Sequence, residues 1–140
     1  MFLPDINVWL ALAFDSHVHH SAARAWFNSA GQISYFCRMT QQGLLRLATN
    51  PKGLGPEAVS LKEAWNLYDA IIADPMVTYA DEPSSVEPIW RAYTQRESFT
   101  PKVWSDAYLA AFARAALLEV VTFDNGFRRY SGTKCTILRA

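Results

Sequence analysis

The sequence predicts an α/β fold with a mostly parallel central sheet, formed by a single domain over residues 1–140. The first observation is that short apolar runs alternate along the chain with longer segments of helical periodicity. The second is the length of 140 residues, which is close to the commonest size of one domain. The third is a hydrophobic content of 51%, enough for a packed core, with no repeat, linker or low-complexity tract.

The first quarter of the chain predicts a strand, two helices and a second strand. The run MFLP is a short strand, and NVWLALAF is a helix that is apolar on most faces and therefore buried. The segment HHSAARAWFNSAG is a helix that ends at Gly31, because glycine readily adopts the left-handed conformation found after helices. The run QISYF is the second strand.

The middle of the chain predicts two helices separated by a loop. The first helix is TQQGLLRLATN, and the loop is the Gly- and Pro-rich stretch TNPKGLGPEA, residues 49–58. The second helix, SLKEAWNLYDAIIA, has its apolar residues at helical spacing. Ser60 is its predicted N-cap, and Glu63 completes a capping box.

The second half of the chain predicts three more strands and two more helices. A strand at MVTYA is followed by a helix at VEPIWRAYTQR. The next helix, VWSDAYLAAFARAALL, is rich in Ala and Leu, which are strong helix formers. The chain closes with strands at EVVTF and TKCTILR.

Charge and apolar patterning exclude several classes of protein. The chain has 13 basic and 13 acidic residues and a pI of about 6.8, so a chain-wide basic surface for nucleic acid is missing. No apolar run reaches the roughly 18 residues of a membrane span, and the N-terminus lacks the features of a secretory signal. We therefore expect a cytoplasmic protein, with Cys37 and Cys135 as free thiols because they match no metal-ligand spacing.

Three aspartates are predicted to meet at one edge of the sheet. Asp5 follows the first strand and Asp124 follows EVVTF, and the carboxyl ends of parallel strands share an edge. Asp106 lies in the first turn of a helix that descends about 18 Å. The strand EVVTF then climbs back about 16 Å. The start of that helix and the end of that strand are therefore expected at the same edge.

Three carboxylates brought together repel one another and raise one another's pKa. A hard divalent cation with oxygen ligands offsets this repulsion, and Mg²⁺ or Mn²⁺ suits an open carboxylate site. Such a site activates water and supports phosphodiester hydrolysis. Each aspartate alone is more simply explained as a helix cap or turn residue, so geometry by itself leaves a metal site and a structural role both open.

Two other phosphoryl-transfer classes fit the acidic residues poorly. A phosphate-receiver domain places paired acids after its first strand, whereas Asp5 has no adjacent acid. A haloacid-type phosphatase requires Asp-x-Asp, whereas this chain has Asp-x-Asn ending at Asn7.

Four segments of the chain resemble PIN-domain ribonucleases, specifically the VapC-type toxins of bacterial toxin–antitoxin pairs. In chain order they are LPDINVWLAL, HHSAARAWF, CRMTQQGLLRLATNP and WSDAYLAAFARAALLEVVTFDNGF. Each segment alone is unspecific, whereas four in order at suitable spacing cover nearly the whole chain. The resemblance implies a PIN-like three-layer α/β/α fold and a Mg²⁺- or Mn²⁺-dependent endoribonuclease.

The resemblance also implies roles for particular residues. Asp5, Asp106 and Asp124 match the acidic positions that are catalytic and bind metal. Asn7 matches the polar partner beside the first aspartate, and Thr122 matches the hydroxyl two residues before the last one. These two side chains would orient the metal ligands.

The chain departs from the family pattern near the start of the third helix. Many relatives carry a Glu there, and in this chain its place falls around Gln42 or Gly43. Gln42 can support a bound water but carries no charge and cannot act as a base. This departure keeps a second hypothesis open, namely a non-catalytic or weakly active module that binds nucleic acid or protein on the same fold.

The resemblance implies an RNA substrate, a cognate antitoxin and a homodimer, with no membrane partner. Transfer, ribosomal and messenger RNA are all compatible with the sequence. Arg38, Arg46 and Arg128 lie near the predicted edge and are candidates to hold RNA phosphates.

The remaining candidates are histidines and one tryptophan. We assign His17, His19 and His20 to capping and surface roles, with His20 expected to make a structural hydrogen bond. Trp104 lies close to Asp106 and is the tryptophan that we single out as a candidate for base stacking.

Overall fold

The computed structural model describes residues 1–139 and contains a five-stranded sheet in which all neighbouring strands are parallel. The strands are β1 (Phe2–Pro4), β2 (Ser34–Phe36), β3 (Val77–Tyr79), β4 (Glu119–Thr122) and β5 (Cys135–Ile137). Their spatial order is β3-β2-β1-β4-β5. The five predicted strands are confirmed, and the sheet predicted to be mostly parallel is entirely parallel.

Seven helices within residues 1–139 cover the two faces of the sheet. They are α1 (Ile6–Ala13), α2 (His20–Ala30), α3 (Arg38–Ala48), α4 (Pro51–Leu54), α5 (Leu61–Ile72), α6 (Val86–Tyr93) and α7 (Val103–Ala116). Leu3 and Val120 pack in one core with α6 and α7. Phe36 and Val121 pack in another with α1, α3 and α5, where the Trp9 ring stacks on Phe36 at a centroid distance of 3.9 Å. The predicted three-layer α/β/α architecture is confirmed.

Two predicted helix ends are found where the sequence places them. The Glu63 backbone N–H donates to the Ser60 hydroxyl at 3.1 Å, which closes the predicted capping box of α5. Gly31 ends α2 with a φ of 66°, a conformation that favours glycine.

The predicted loop at residues 49–58 contains structure that the sequence pattern did not predict. It forms α4 and a 3₁₀ turn at Gly55–Glu57. The Asn50 side chain accepts a hydrogen bond from the Lys52 backbone N–H at 3.0 Å, and Pro51 takes the first helical position, where no backbone donor is needed. Local capping therefore makes a helix from four residues that show no periodicity.

The direction in which successive strands are added to the sheet reverses beside β1. The chain runs from β1 through β2 to β3 on one side and then returns to place β4 on the other side of β1. Pro4 pairs with Val121, and the Asp5 backbone N–H donates to the Val121 carbonyl at 2.8 Å. In open α/β sheets ligands bind at the carboxyl ends of strands beside such a reversal.

Helices α1 and α3 approach closely at Gly43. A Cβ atom at this position would lie 2.2 Å from the Ile6 Cδ1 atom. The glycine therefore lets the two helices pack beside the carboxyl end of β1. Among residues 1–139, no helix has the length and apolar character to cross a membrane.

Candidate active site

Asp5 lies at the carboxyl end of β1 and caps α1. Its Oδ1 accepts a hydrogen bond from the Ile6 backbone N–H at 2.7 Å, and its Oδ2 accepts one from the Thr122 hydroxyl at 2.8 Å. Burial raises the pKa of Asp5, the two hydrogen bonds oppose this effect, and the nearby charges of Asp106 and Asp124 raise it further. The carboxylate is fixed in place in surroundings that disfavour its charge.

Thr122 connects the ends of β1 and β4 through one buried hydroxyl. Besides donating to Asp5, the Thr122 Oγ1 accepts from the Asp124 backbone N–H at 3.0 Å and from the Asn7 amide at 3.3 Å. The Asn7 Oδ1 in turn accepts from the Phe123 backbone N–H at 3.4 Å. Asn7 and Thr122 thus hold the two strand ends, and their aspartates, in one register.

Asp124 begins the 3₁₀ turn Asn125–Arg129 that follows β4. Its Oδ1 accepts from the Gly126 backbone N–H at 2.8 Å, and its Oδ2 accepts from the Lys102 Nζ at 2.7 Å. The hydrogen bond from Lys102 and then that from Gly126 lower the pKa of Asp124. A Cβ at Gly126 would lie 3.0 Å from the Asp124 Oδ1, so the glycine in TFDNGF lets the turn close on the carboxylate.

Asp106 lies in the first turn of α7, where a carboxylate is favoured by the helix dipole. The Lys102 Nζ is 3.7 Å from the Asp106 Oδ2. Burial raises the pKa of Asp106, Lys102 opposes this effect, and the charge of Asp124 raises it. The Lys102 ammonium therefore stands between two of the three carboxylates, and its own pKa is raised, chiefly by the hydrogen bond to Asp124.

The three aspartates line a single open cavity of about 740 Å³. Asn7, Lys102 and Ser105 also line it, and Thr122 supports it from below through its hydrogen bonds. The cavity thus brings together side chains from the ends of β1 and β4 and from the start of α7. The sequence predicted this convergence from strand and helix lengths.

The three carboxylates supply the oxygen donors that a hard divalent cation prefers. In this structure, however, they lie too far apart to bind one ion together. Three oxygen-donor side chains face one cavity, and the Lys102 ammonium already occupies the position of a cation beside Asp106 and Asp124. Within residues 1–139, no three His, Cys, Asp or Glu side chains approach closely enough to form a ready-made metal site. Metal binding would require Lys102 to withdraw and the carboxylates to close in.

Gln42 and the three candidate arginines lie outside the aspartate cavity. Gln42 and Arg38 line a second cavity, and the Arg38 guanidinium lies 5.0 Å from the centre of the Tyr79 ring. Arg46 and Arg128 are exposed and line neither cavity. The role of Gln42 as a support for the metal ligands stays a prediction, and so does phosphate binding by the three arginines.

The sequence did not reveal that Lys102 and two histidines contribute to this cavity. His17 and His19 line it, and the His19 ring stacks on Phe123 at a centroid distance of 4.5 Å. His17 accepts a hydrogen bond from the His19 backbone N–H at 3.0 Å, and burial lowers the pKa of His17. One feature of the sequence could have indicated the role of Lys102. It precedes Asp106 by four residues at the start of a predicted helix, a spacing that brings two side chains together.

His20 makes the structural hydrogen bond that the sequence predicted. Its Nδ1 donates to the Ala11 carbonyl at 2.8 Å and so joins α2 to α1. Its Nε2 lies 3.6 Å from the exposed Asp15 carboxylate. His20 therefore positions the segment that carries the two cavity histidines.

Comparison with known proteins gives matches along almost the whole chain. The family described as PIN domain matches residues 2–132. The protein named Ribonuclease VapC41 of Mycobacterium tuberculosis is 46% identical over 144 residues, covering 99% of each chain. Ribonuclease VapC38 of the same species is 35% identical over 131 residues, covering 90% of this chain and 86% of the relative.

Among solved structures, VapC20 of M. tuberculosis has a similar fold. It superposes with a TM-score of 0.71 at 16% sequence identity and covers 94% of this chain and 95% of its own. That structure is described as a toxin that cleaves the sarcin–ricin loop. At this identity the likeness concerns the fold alone.

Proposed function

The chain belongs to the PIN-domain family, among the VapC-type ribonuclease toxins, and on this premise we propose that it is a Mg²⁺- or Mn²⁺-dependent endoribonuclease. The observation that carries the proposal is the convergence of Asp5, Asp106 and Asp124 on one cavity from three separate elements. Burial opposes the charge of two of them, and although each aspartate lies at the start of a helix or turn, such local roles do not require all three carboxylates to face one cavity. A cation-binding site would account for three carboxylates that face the same cavity.

In this proposal the three aspartates hold the metal ion. A bound Mg²⁺ or Mn²⁺ supplies a nucleophilic water and stabilises charge that develops on the phosphate. The chain's own contribution is positioning: the Ile6 N–H and the Thr122 hydroxyl fix both oxygens of Asp5, and the Gly126 N–H fixes one oxygen of Asp124. Hydrogen bonds of this kind orient carboxylate ligands towards a metal ion.

Lys102 supplies positive charge at the rim of this site. It is largely exposed and pairs with Asp124 and Asp106, so it neutralises part of the carboxylate charge when no metal is bound. With a metal ion held by the aspartates, the Lys102 ammonium would be available to contact a phosphate oxygen of the RNA. The Lys102 ammonium would therefore act both in the metal-free site and in the metal-bound site.

We further propose RNA as the substrate and an antitoxin protein as the partner. The relatives are named ribonucleases, and one chain of similar fold belongs to a structure described as VapBC2 from Rickettsia felis bound to a DNA fragment from their promoter. A homodimer, action in the cytoplasm and phosphate contacts from Arg38, Arg46 and Arg128 are parts of the same proposal. Transfer RNA remains one of the candidate substrates.

A second function is favoured by one specific observation. Lys102 pairs with two of the three carboxylates, and α3 contributes Gln42 rather than an acid. A chain in which this ion pair is permanent would be a non-catalytic or weakly active module that binds nucleic acid or protein. Metal dependence separates the two functions.

The test is cleavage of total cellular RNA by the purified chain. We expect discrete cuts with Mg²⁺ or Mn²⁺, none with chelator, and at least a hundred-fold loss in Asp5→Asn and Asp124→Asn, since electrostatic groups at reacting centres are worth roughly that much. The matched control is Asp69→Asn, which removes an exposed carboxylate on α5. Unchanged cleavage in both site variants would refute the aspartate assignment, and absence of cuts under any metal would favour the binding module.

A further inference from the structure

A second cavity adjoins the aspartate cavity and is walled by aromatic rings. Its volume is about 510 Å³, within the range of small-molecule sites of about 300–1,000 Å³. Met39 and Ser105 line both cavities, so the two lie side by side. We propose that this second cavity binds an unpaired nucleobase of the RNA, next to the phosphodiester held at the aspartates. This inference rests on the proposed ribonuclease function.

The aromatic walls present the surfaces that a base needs for stacking. Trp104 is 61% exposed although it lies in the first turn of a helix. Its ring meets Trp90 edge-on at a centroid distance of 6.0 Å, and Trp90 meets Tyr108 in the same way at 5.3 Å. The Trp90 Nε1 donates to the Trp104 carbonyl at 3.0 Å, which fixes the backbone that carries the exposed ring. Stacking on such rings tolerates any base.

The rim of the second cavity carries both donors and acceptors. The Arg38 guanidinium is held over Tyr79 and donates to the Gln41 side chain. On the same cavity, Glu82 accepts a hydrogen bond from the Tyr108 hydroxyl, and the exposed Gln42 amide offers a donor and an acceptor. Every nucleobase edge combines donors with acceptors and can pair with the Gln42 amide, whereas an apolar protein side chain has no group that can.

Sequence adjacency places the proposed base next to the reacting phosphate. Trp104 and Ser105 directly precede Asp106, so the first turn of α7 faces the second cavity with one side and the aspartate cavity with the other. A nucleotide whose phosphate lies at the aspartates can therefore extend its base towards Trp104. The RNA must be unpaired there, because a stacked and paired base cannot enter.

The first measurement is a titration of the full chain with nucleoside 5′-monophosphates, followed by NMR of the five tryptophan indole N–H signals. The Trp104 signal is identified by its disappearance in Trp104→Phe. We expect the Trp104 and Trp90 signals to shift with each nucleotide, whereas Trp65, on α5, lines neither cavity and should not move. Ribose 5-phosphate, which lacks the base, should leave the Trp104 signal in place. A Trp104 signal that stays still, or that moves as much with ribose 5-phosphate, would overturn the inference.

The second measurement is binding of a labelled single-stranded RNA in chelator, where cleavage does not interfere. Trp104→Ala should weaken binding about 5- to 100-fold, the range for loss of one stacked base. Trp104→Phe should restore most of the affinity, and Trp65→Ala, which removes another exposed tryptophan, should have no effect. Because the Trp104 ring is mostly exposed, we expect all three variants to fold.

The outcomes separate this inference from the proposed function. Base-dependent binding without cleavage would support the nucleobase site while refuting the nuclease. Cleavage with unchanged RNA affinity in Trp104→Ala would refute the nucleobase site while the nuclease stands. Loss of binding to a co-expressed antitoxin in Trp104→Ala, with RNA affinity intact, would also overturn it, because the cavity would then receive a protein side chain.

Discussion

Thr122 illustrates how a single residue contributes to the site without lying at the centre of its chemistry. Its hydroxyl donates to Asp5 and accepts from the backbone of Asp124, so one buried group sets the spacing of two carboxylates that are 119 positions apart in the chain, from residue 5 to residue 124. The resemblance of TFDNGF to the PIN family implied an orienting role for this hydroxyl. Its two hydrogen bonds supply a physical basis for that role.

Lys102 yields a prediction at the residue scale. Its ammonium pairs with Asp124 at 2.7 Å and Asp106 at 3.7 Å, so a metal ion must displace it. Lys102→Gln removes this charged competitor and leaves a neutral polar side chain that is one bond shorter than lysine. Since exposed ion pairs contribute about 0.2–1 kcal/mol, Mn²⁺ affinity should rise about 1.4- to 5-fold. Isothermal titration calorimetry in a chelator-treated sample measures the change.

The control for Lys102→Gln is Lys62→Gln on the exposed side of α5. It makes the same change in net charge and should leave Mn²⁺ affinity unchanged. Weaker Mn²⁺ binding in Lys102→Gln would mean that the lysine organises the carboxylates and does not compete with the metal.

At the scale of elements, the packing of α1 against α3 explains why position 43, near the start of α3, carries no acid. Gly43 faces the Ile6 side chain so closely that a Cβ would meet Cδ1 at 2.2 Å and Cγ1 at 2.6 Å. Any side chain at position 43 would force the Ile6 side chain to move or α3 to shift away from α1. Gln42, one position earlier, points towards the second cavity and leaves the aspartates without a fourth carboxylate from this helix.

This close approach predicts the effect of Gly43→Ala. The variant should lower the free energy of unfolding by about 1–3 kcal/mol, the usual effect of overpacking, as measured by chemical denaturation. In an Ile6→Ala background the same change should be much less destabilising, because the clashing atoms are gone. The control is Gly53→Ala in α4, where an added Cβ meets nothing within 4 Å. Equal destabilisation in both backgrounds would contradict the proposed clash.

The elements differ in how far the sequence could predict them. Strands and long helices were predictable because periodicity and caps are local, as Ser60 and Gly31 show. Helix α4 was not, since four residues carry no periodic pattern and Asn50 and Pro51 alone determine it. The contributions of Lys102 and the histidine segment to the cavity depend on contacts across the fold, for which the sequence offers no spacing rule.

At the scale of the molecule, topology explains why the site lies where it does. β1 is the central strand, and the chain leaves it in one direction and later returns to its other side as β4. The residues that follow β1 and β4, Asp5 and Asp124, therefore meet where helices from the two layers diverge. The same divergence brings the start of α7 and Asp106 to this edge. The cleft at this edge therefore follows from the backbone topology and does not depend on particular side chains.

Burying the charged carboxylates of Asp5 and Asp106 in that cleft opposes folding when no cation is bound, whereas Lys102 offsets the charge of Asp124. Burial raises the pKa of Asp106 above its ordinary value of 3.8, so the folded state favours the protonated form. The charged carboxylate therefore lowers the free energy of unfolding above the raised pKa, and this effect is absent below about pH 3.8. A bound divalent cation would reverse the balance, because it stabilises only the folded state.

Asp106→Asn should reveal this balance through unfolding measured with and without Mn²⁺. In chelator at pH 7 the variant should be more stable than the wild type by about 0.5–2 kcal/mol, and the difference should vanish as the pH falls below about 3.8. With Mn²⁺ the order should reverse, because the wild type gains a ligand-dependent stabilisation that the variant largely lacks. Asp69→Asn, an exposed carboxylate on α5, should show neither effect. A variant that is less stable than the wild type in chelator would mean that Asp106 is a structural residue whose pairing with Lys102 outweighs its burial.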